Sequence, residues 1–179
     1  MGVHEAVAFL NSRGLIPPLE ESVQVRIGIP AYARRTSTMC PLALERAASS
    51  LPGSVIVHPK YSDMDTAAGI ALLAHELVHQ GQFETMPDFD AEYEAESRYV
   101  DEWGLQPYEN ALERPAYERE VEAYLAALEA GYPPGEHTPL LIHDGVAADG
   151  FVSGISRGFA IGIGLGLAGL IFALAKAGK

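Results

Sequence analysis

Cysteine is almost missing: Cys40 is the only one in 179 residues, which excludes an internal disulfide framework and any cysteine-based metal site. Cys40 itself reads as a small core residue. Basic residues are scarce. Twelve Lys and Arg stand against 24 Asp and Glu, a formal net charge of −12. A polyphosphate partner would be repelled by such a surface, so no nucleic acid is expected as a partner. The N-terminus, MGVHEAVAFLNSRG, lacks a cleavable apolar run, and no N-terminal signal peptide is expected. A chain of this length can bury a core of its own without covalent staples.

Acid is absent from one region altogether. Residues 151–179 hold Arg157, Lys176 and Lys179 and no carboxylate, so residues 1–150 carry 9 basic and 24 acidic side chains, a net of −15. Within that tail, Gly158 to Ala175 is an unbroken apolar run of 18 residues, GFAIGIGLGLAGLIFALA. As a helix it would reach about 27 Å, close to the hydrocarbon thickness of a bilayer. Gly154, Gly158, Gly162 and Gly166 recur at every fourth position. Each glycine costs a water-exposed helix roughly 0.8–1 kcal/mol relative to alanine. That cost is rational where another helix packs closely against the glycine face, the glycine-zipper device of membrane helices. The tail is therefore expected to be a hydrophobic, transmembrane helix, with a membrane anchor, a membrane-spanning oligomer and a helix buried in an assembly as its three readings.

The rest of the chain reads as an α+β body, mainly helical with a small sheet, over residues 1–130, followed by a Pro/Gly-rich linker at 131–150. Residues 3–12 predict a short helix. Ser22–Ile29 alternates apolar and polar residues and predicts a strand. Residues 41–49 predict a helix with Pro41 in its first turn. Leu51-Pro52-Gly53 is a turn, and β-branched Ser54–Val57 a strand. A helix capped by Asp63 or Asp65 should run to about Gln82, and two more are expected near Asp90–Trp103 and Tyr117–Ala130.

The chemistry lies in His75-Glu76-Leu77-Val78-His79. Positions i and i+4 share one helix face, so both imidazoles can reach one cation, and imidazole nitrogen suits Zn²⁺. Glu76 lies beside them, placed to act as general base on a water. A catalytic zinc usually takes a third protein ligand. His137 and His143 fall in the Pro/Gly-rich stretch and suit rigid ligation poorly; His58 reads as structural.

H-E-L-V-H-Q with a later glutamate-rich helix, Tyr117-Glu118-Arg119-Glu120-Val121-Glu122-Ala123-Tyr124, resembles the small gluzincin-type HExxH zinc metallopeptidases. The resemblance covers about residues 54–130. It implies a zincin-like fold with Zn²⁺ on His75, His79 and Glu118, Glu122 supporting the ligand, and Glu120 as the alternative third ligand. It also implies an edge strand before the metal helix that pairs with extended substrate, a place Ser54–Val57 would fill. The activity implied is zinc-dependent peptide-bond hydrolysis by an activated water, with Glu76 as general base. A peptide or protein is the substrate, a cell-wall peptide among the options, and the C-terminal helix tethers the enzyme to a membrane or assembly. A donor to the transition-state oxyanion would come from Tyr93, Tyr99, Tyr108, Tyr117 or Tyr124. Residues 84–122 hold 13 of the 24 acids, which form either a cleft favouring basic substrates or a solvated face. The alternative function is non-catalytic: a structural or membrane-active component of an assembly, such as a viral particle, with the body as a docking module.

Overall fold

The computed structural model describes residues 2–18, 23–28 and 48–146. The chain divides into a unit ending at Pro139 and a second beginning at Leu140. The first unit is α+β. Helix α1 (Val3–Ser12) is followed by strands β1 (Gln24–Ile27), β2 (Ala48–Leu51) and β3 (Ser54–Val57). Helices α2 (Ala67–Thr85), α3 (Phe89–Trp103) and α4 (Arg114–Glu129) complete it. The described part of the second unit contains the short helix α5 (Leu140–His143). Among the described residues no helix is long and apolar enough to cross a membrane. The run 158–175 and the glycines expected to form its packing face lie outside the described residues.

Helix α2 is the axis of the first unit. It packs chiefly against α4, and also against β2, β3 and α1. Ile70, Leu73, Ala74 and Leu77 are fully buried along it, and His75, Glu76, His79 and Gln80 are buried with them. A helix enclosed on several sides has little amphipathic pattern to display, and the sequence AAGIALLAHELVHQGQFET is accordingly apolar around most of its circumference.

Its start is closed by three different acceptors. Thr66 Oγ1 accepts from the Gly69 amide at 3.2 Å. The Ala67 and Ala68 amides donate to the carbonyls of Pro133 and Pro134 at 2.8 and 3.1 Å. Three amides that a helix leaves without internal partners are thus satisfied. The cap is Thr66 rather than Asp63 or Asp65: Asp63 Oδ1 instead accepts from the Asp65 amide at 3.1 Å, holding a turn ahead of the helix. Residues 133–135 therefore belong to the structure of the first unit. Gly135 sits at φ +85°, with Ala68 and Thr66 too near to admit a side chain.

The sheet order is β1-β3-β2. β3 pairs parallel with β1 (Val25 opposite Val55) and antiparallel with β2 (Ser50 opposite Val55). Ser54–Val57 is thus the central strand, not the expected edge. Its alternate residues Val55 and Val57 are fully buried. Among the described residues β2 is paired on one side only, and its Ser50 bonds Glu76 of α2. Of the helix expected over 41–49, residues 41–47 lie outside the described residues, and Ala48 and Ser49 are strand. Pro52 and Gly53, the latter at φ +72°, turn β2 into β3. The buried Gln80 amide pins that turn to α2. Its Oε1 accepts from the Gly53 amide at 2.9 Å and its Nε2 donates to the Leu51 carbonyl at 3.1 Å.

Candidate metal centre

His75 and His79 stand one turn apart on α2 with ring centroids 5.2 Å apart. Both turn Nε2 toward a single oxygen, Glu113 Oε2, at 3.2 Å from His75 and 3.5 Å from His79. The ligand atoms of these three residues all lie within 4.8 Å of one another. Donors about 2.0–2.2 Å from a tetrahedral zinc would stand roughly 3.3 Å apart, so two imidazoles and a carboxylate at these separations fit such an ion.

The outer nitrogens are held as firmly as the inner ones. His75 Nδ1 lies 3.1 Å from Glu120 Oε2. His79 Nδ1 lies 2.7 Å from Gln82 Oε1, and Gln82 Nε2 donates to the Leu112 carbonyl at 2.7 Å. That second bond fixes which way the Gln82 amide points, because only its NH₂ can donate to a carbonyl. Its oxygen must therefore accept from His79 Nδ1–H. With an acceptor at each Nδ1, both rings carry a proton there and direct Nε2 inward, the arrangement that orients histidine ligands of metals.

Glu113 comes from a loop shaped by the buried Asn110. Asn110 Oδ1 accepts from the Leu112 and Glu113 amides at 2.8 and 3.2 Å. The other carboxylate oxygen of Glu113 accepts from Tyr93 of α3 at 2.5 Å. Tyr117 lays its ring edge-on against His75, with centroids 4.7 Å apart. Glu76, also buried, projects beside the histidines toward β2. Ser50 Oγ lies 2.7 Å from its Oε2 and 2.8 Å from its backbone carbonyl.

Within this cluster a proton on His75 supplies positive charge. Burial opposes a charged His75, but hydrogen bonds to Glu113 and Glu120, and the charges of Glu120 and Glu76, outweigh it and raise the imidazole to about 10. Burial likewise opposes a charged Glu113, yet the two histidines hold its carboxyl well below the usual carboxylate range.

The expected residues divide. His75, Glu76 and His79 stand together. Glu118 is not brought to them: it pairs with Arg114 at 3.1 Å. Glu122 pairs with Arg119 at 2.5 Å rather than supporting a ligand. Glu120 reaches the outer nitrogen of His75, where it orients that ring, and Glu113 is the carboxylate that faces both Nε2 atoms. The reason is helical phase. α4 begins at Arg114, not Tyr117, with Pro115 in its first turn. Counted from Glu113 at about 100° per residue, Tyr117 and Glu120 return to within about 40° of it, while Glu118 and Glu122 fall on the opposite side. Of the five tyrosines weighed as donors, Tyr93 and Tyr117 are at the site. Tyr108 packs against Tyr117, Tyr99 lies half-exposed beside Trp103, and Tyr124 is buried.

Comparison with protein-family models, with curated proteins and with solved structures found no match for this chain.

Proposed function

We propose that this protein is a zinc-dependent hydrolase of peptide bonds, with His75, His79 and Glu113 as the metal ligands and Glu76 as general base. The observation that carries the proposal is the convergence of two Nε2 atoms on one Glu113 oxygen while each Nδ1 is occupied by an acceptor. A zinc ion held there supplies Lewis-acid chemistry, acidifying water and polarising a carbonyl.

The chain's own groups supply the rest. Glu76 accepts a proton from the attacking water and returns it to the departing amine. Ser50 steadies the Glu76 carboxylate from β2. Tyr117 packs edge-on against His75 from α4. The proposal also tethers this activity to a membrane or partner helices through residues 158–175, a reading that rests on the sequence of that run alone.

The test is Glu76→Gln in the full chain. The variant should retain one equivalent of zinc and lose peptide hydrolysis by about 10²-fold or more. Hydrolysis undiminished in that variant contradicts the role given to Glu76. A chain that takes up no zinc contradicts the whole reading and leaves the non-catalytic docking module.

A further inference from the structure

A cavity of about 550 Å³ lies in the first unit, and one of its lining residues, Glu120, also holds His75 Nδ1 at 3.1 Å. Its floor includes Ala68 and Leu72 of α2. Ala68, Leu72, His75 and His79 follow one another at i, i+4, i+7 and i+11, and so form a single stripe along one helix. A chain bound across His75 and Glu76 therefore has this cavity as its neighbour, one turn toward the start of α2.

The lining has a definite chemistry. Three carboxylates, Asp63, Glu136 and the His75-bonded Glu120, line the cavity together with His137 and the apolar Ala68 and Leu72. Lys60, the one lysine or arginine among the described lining residues, has its ammonium 5.1 Å from the Tyr61 ring centroid, where the ring face attracts it. Residues 1–150 as a whole carry a net charge of −15, so the wider field reinforces the local one. An aliphatic stem ending in a cation suits an apolar floor under an acidic rim.

We propose that this cavity is a subsite for a lysine or arginine side chain flanking the bond to be cleaved, which makes basic peptides the substrate class. The inference rests on the hydrolase reading for its role, but the cavity's selectivity can be measured without hydrolysis.

The experiment uses the zinc-loaded full-length Glu76→Gln variant and peptides that differ at one position: lysine, arginine, norleucine or glutamate. Calorimetry should show the lysine and arginine peptides binding about tenfold or more tighter than the norleucine peptide, with the difference shrinking as ionic strength rises. Adding Glu136→Gln, at an exposed position, or Asp63→Asn should erode the preference about threefold each while leaving norleucine binding unchanged. The wild-type protein should show the same order in kcat/KM. Equal binding of lysine and norleucine peptides overturns the inference, as does a preference untouched by both substitutions. Selective binding by a protein that cleaves none of the peptides would support the cavity's assignment while removing the hydrolase reading.

Discussion

His79 and the Leu112 carbonyl are joined through one side chain: Gln82 accepts from His79 Nδ1 at 2.7 Å and donates to Leu112 at 2.7 Å. The residue that fixes the ring of His79 thus also fastens the loop that presents Glu113. Replacing Gln82 with Leu keeps its bulk and removes both bonds. The expected result is a zinc affinity lowered by about 10–100-fold with the helical content unchanged, read by chelator competition and circular dichroism. An unaltered affinity would show that His79 needs no such support.

Acidity should act on the metal-free protein from both sides. His75 is raised from 6.5 to about 10, so its contribution to stability is full below about pH 6.5 and is lost as pH rises through about 10. Glu113 is held below its ordinary 4.5, so its contribution is present above about pH 4.5 and is lost as pH falls through its lowered value. Thermal melts of the chelator-treated chain should therefore plateau between about pH 4.5 and 6.5 and decline toward pH 10. Zinc must displace the extra proton from His75, so saturating zinc should abolish the alkaline decline and its binding should release a proton. A metal-free melting temperature that climbs from pH 7 to 10 would refute this account of His75.

Gly69 sets helix propensity against packing. Alanine at an exposed helical position gains roughly 0.8–1 kcal/mol over glycine. At Gly69, however, an added Cβ would sit 2.1 Å from the Asp63 carbonyl oxygen. That oxygen cannot easily move, because it accepts from the Thr66 amide at 3.2 Å and from Thr66 Oγ1 at 2.8 Å. Overpacking of this kind costs about 1–3 kcal/mol, so the clash wins. Gly69→Ala should lower the melting temperature by roughly 3 °C or more. A rise would mean that the turn at Asp63 is looser than described.

What could be read from the sequence was what repeats along one element. His75, Glu76 and His79 declare themselves because a helix places i and i+4 together, and α2 has no proline within it. Val55 and Val57 mark a strand for the same local reason. Glu113 gave no such signal. It precedes its helix in a loop organised by Asn110, and its place opposite His75 depends on how α4 packs on α2. The family resemblance implied Glu118, which pairs with Arg114 on a face of α4 turned away from the histidines. Strand β2 was hidden differently: Ala48-Ser49-Ser50-Leu51 has little strand character of its own and follows residues that favour helix, so its pairing with β3 is what makes it a strand. The same pairing moved Ser54–Val57 from the edge of the sheet to its centre.

The most direct test of the central claim is zinc stoichiometry and affinity across a set of single substitutions in the full chain, measured by metal analysis and chelator competition. The account predicts one equivalent of zinc in the wild type, in Glu76→Gln and in Glu118→Gln. It predicts a loss of affinity of about 100-fold or more in His75→Ala, His79→Ala and Glu113→Gln, since losing a ligand should exceed the loss of an orienting partner. Zinc lost from Glu118→Gln but retained by Glu113→Gln, or no zinc bound in any of them, would contradict it.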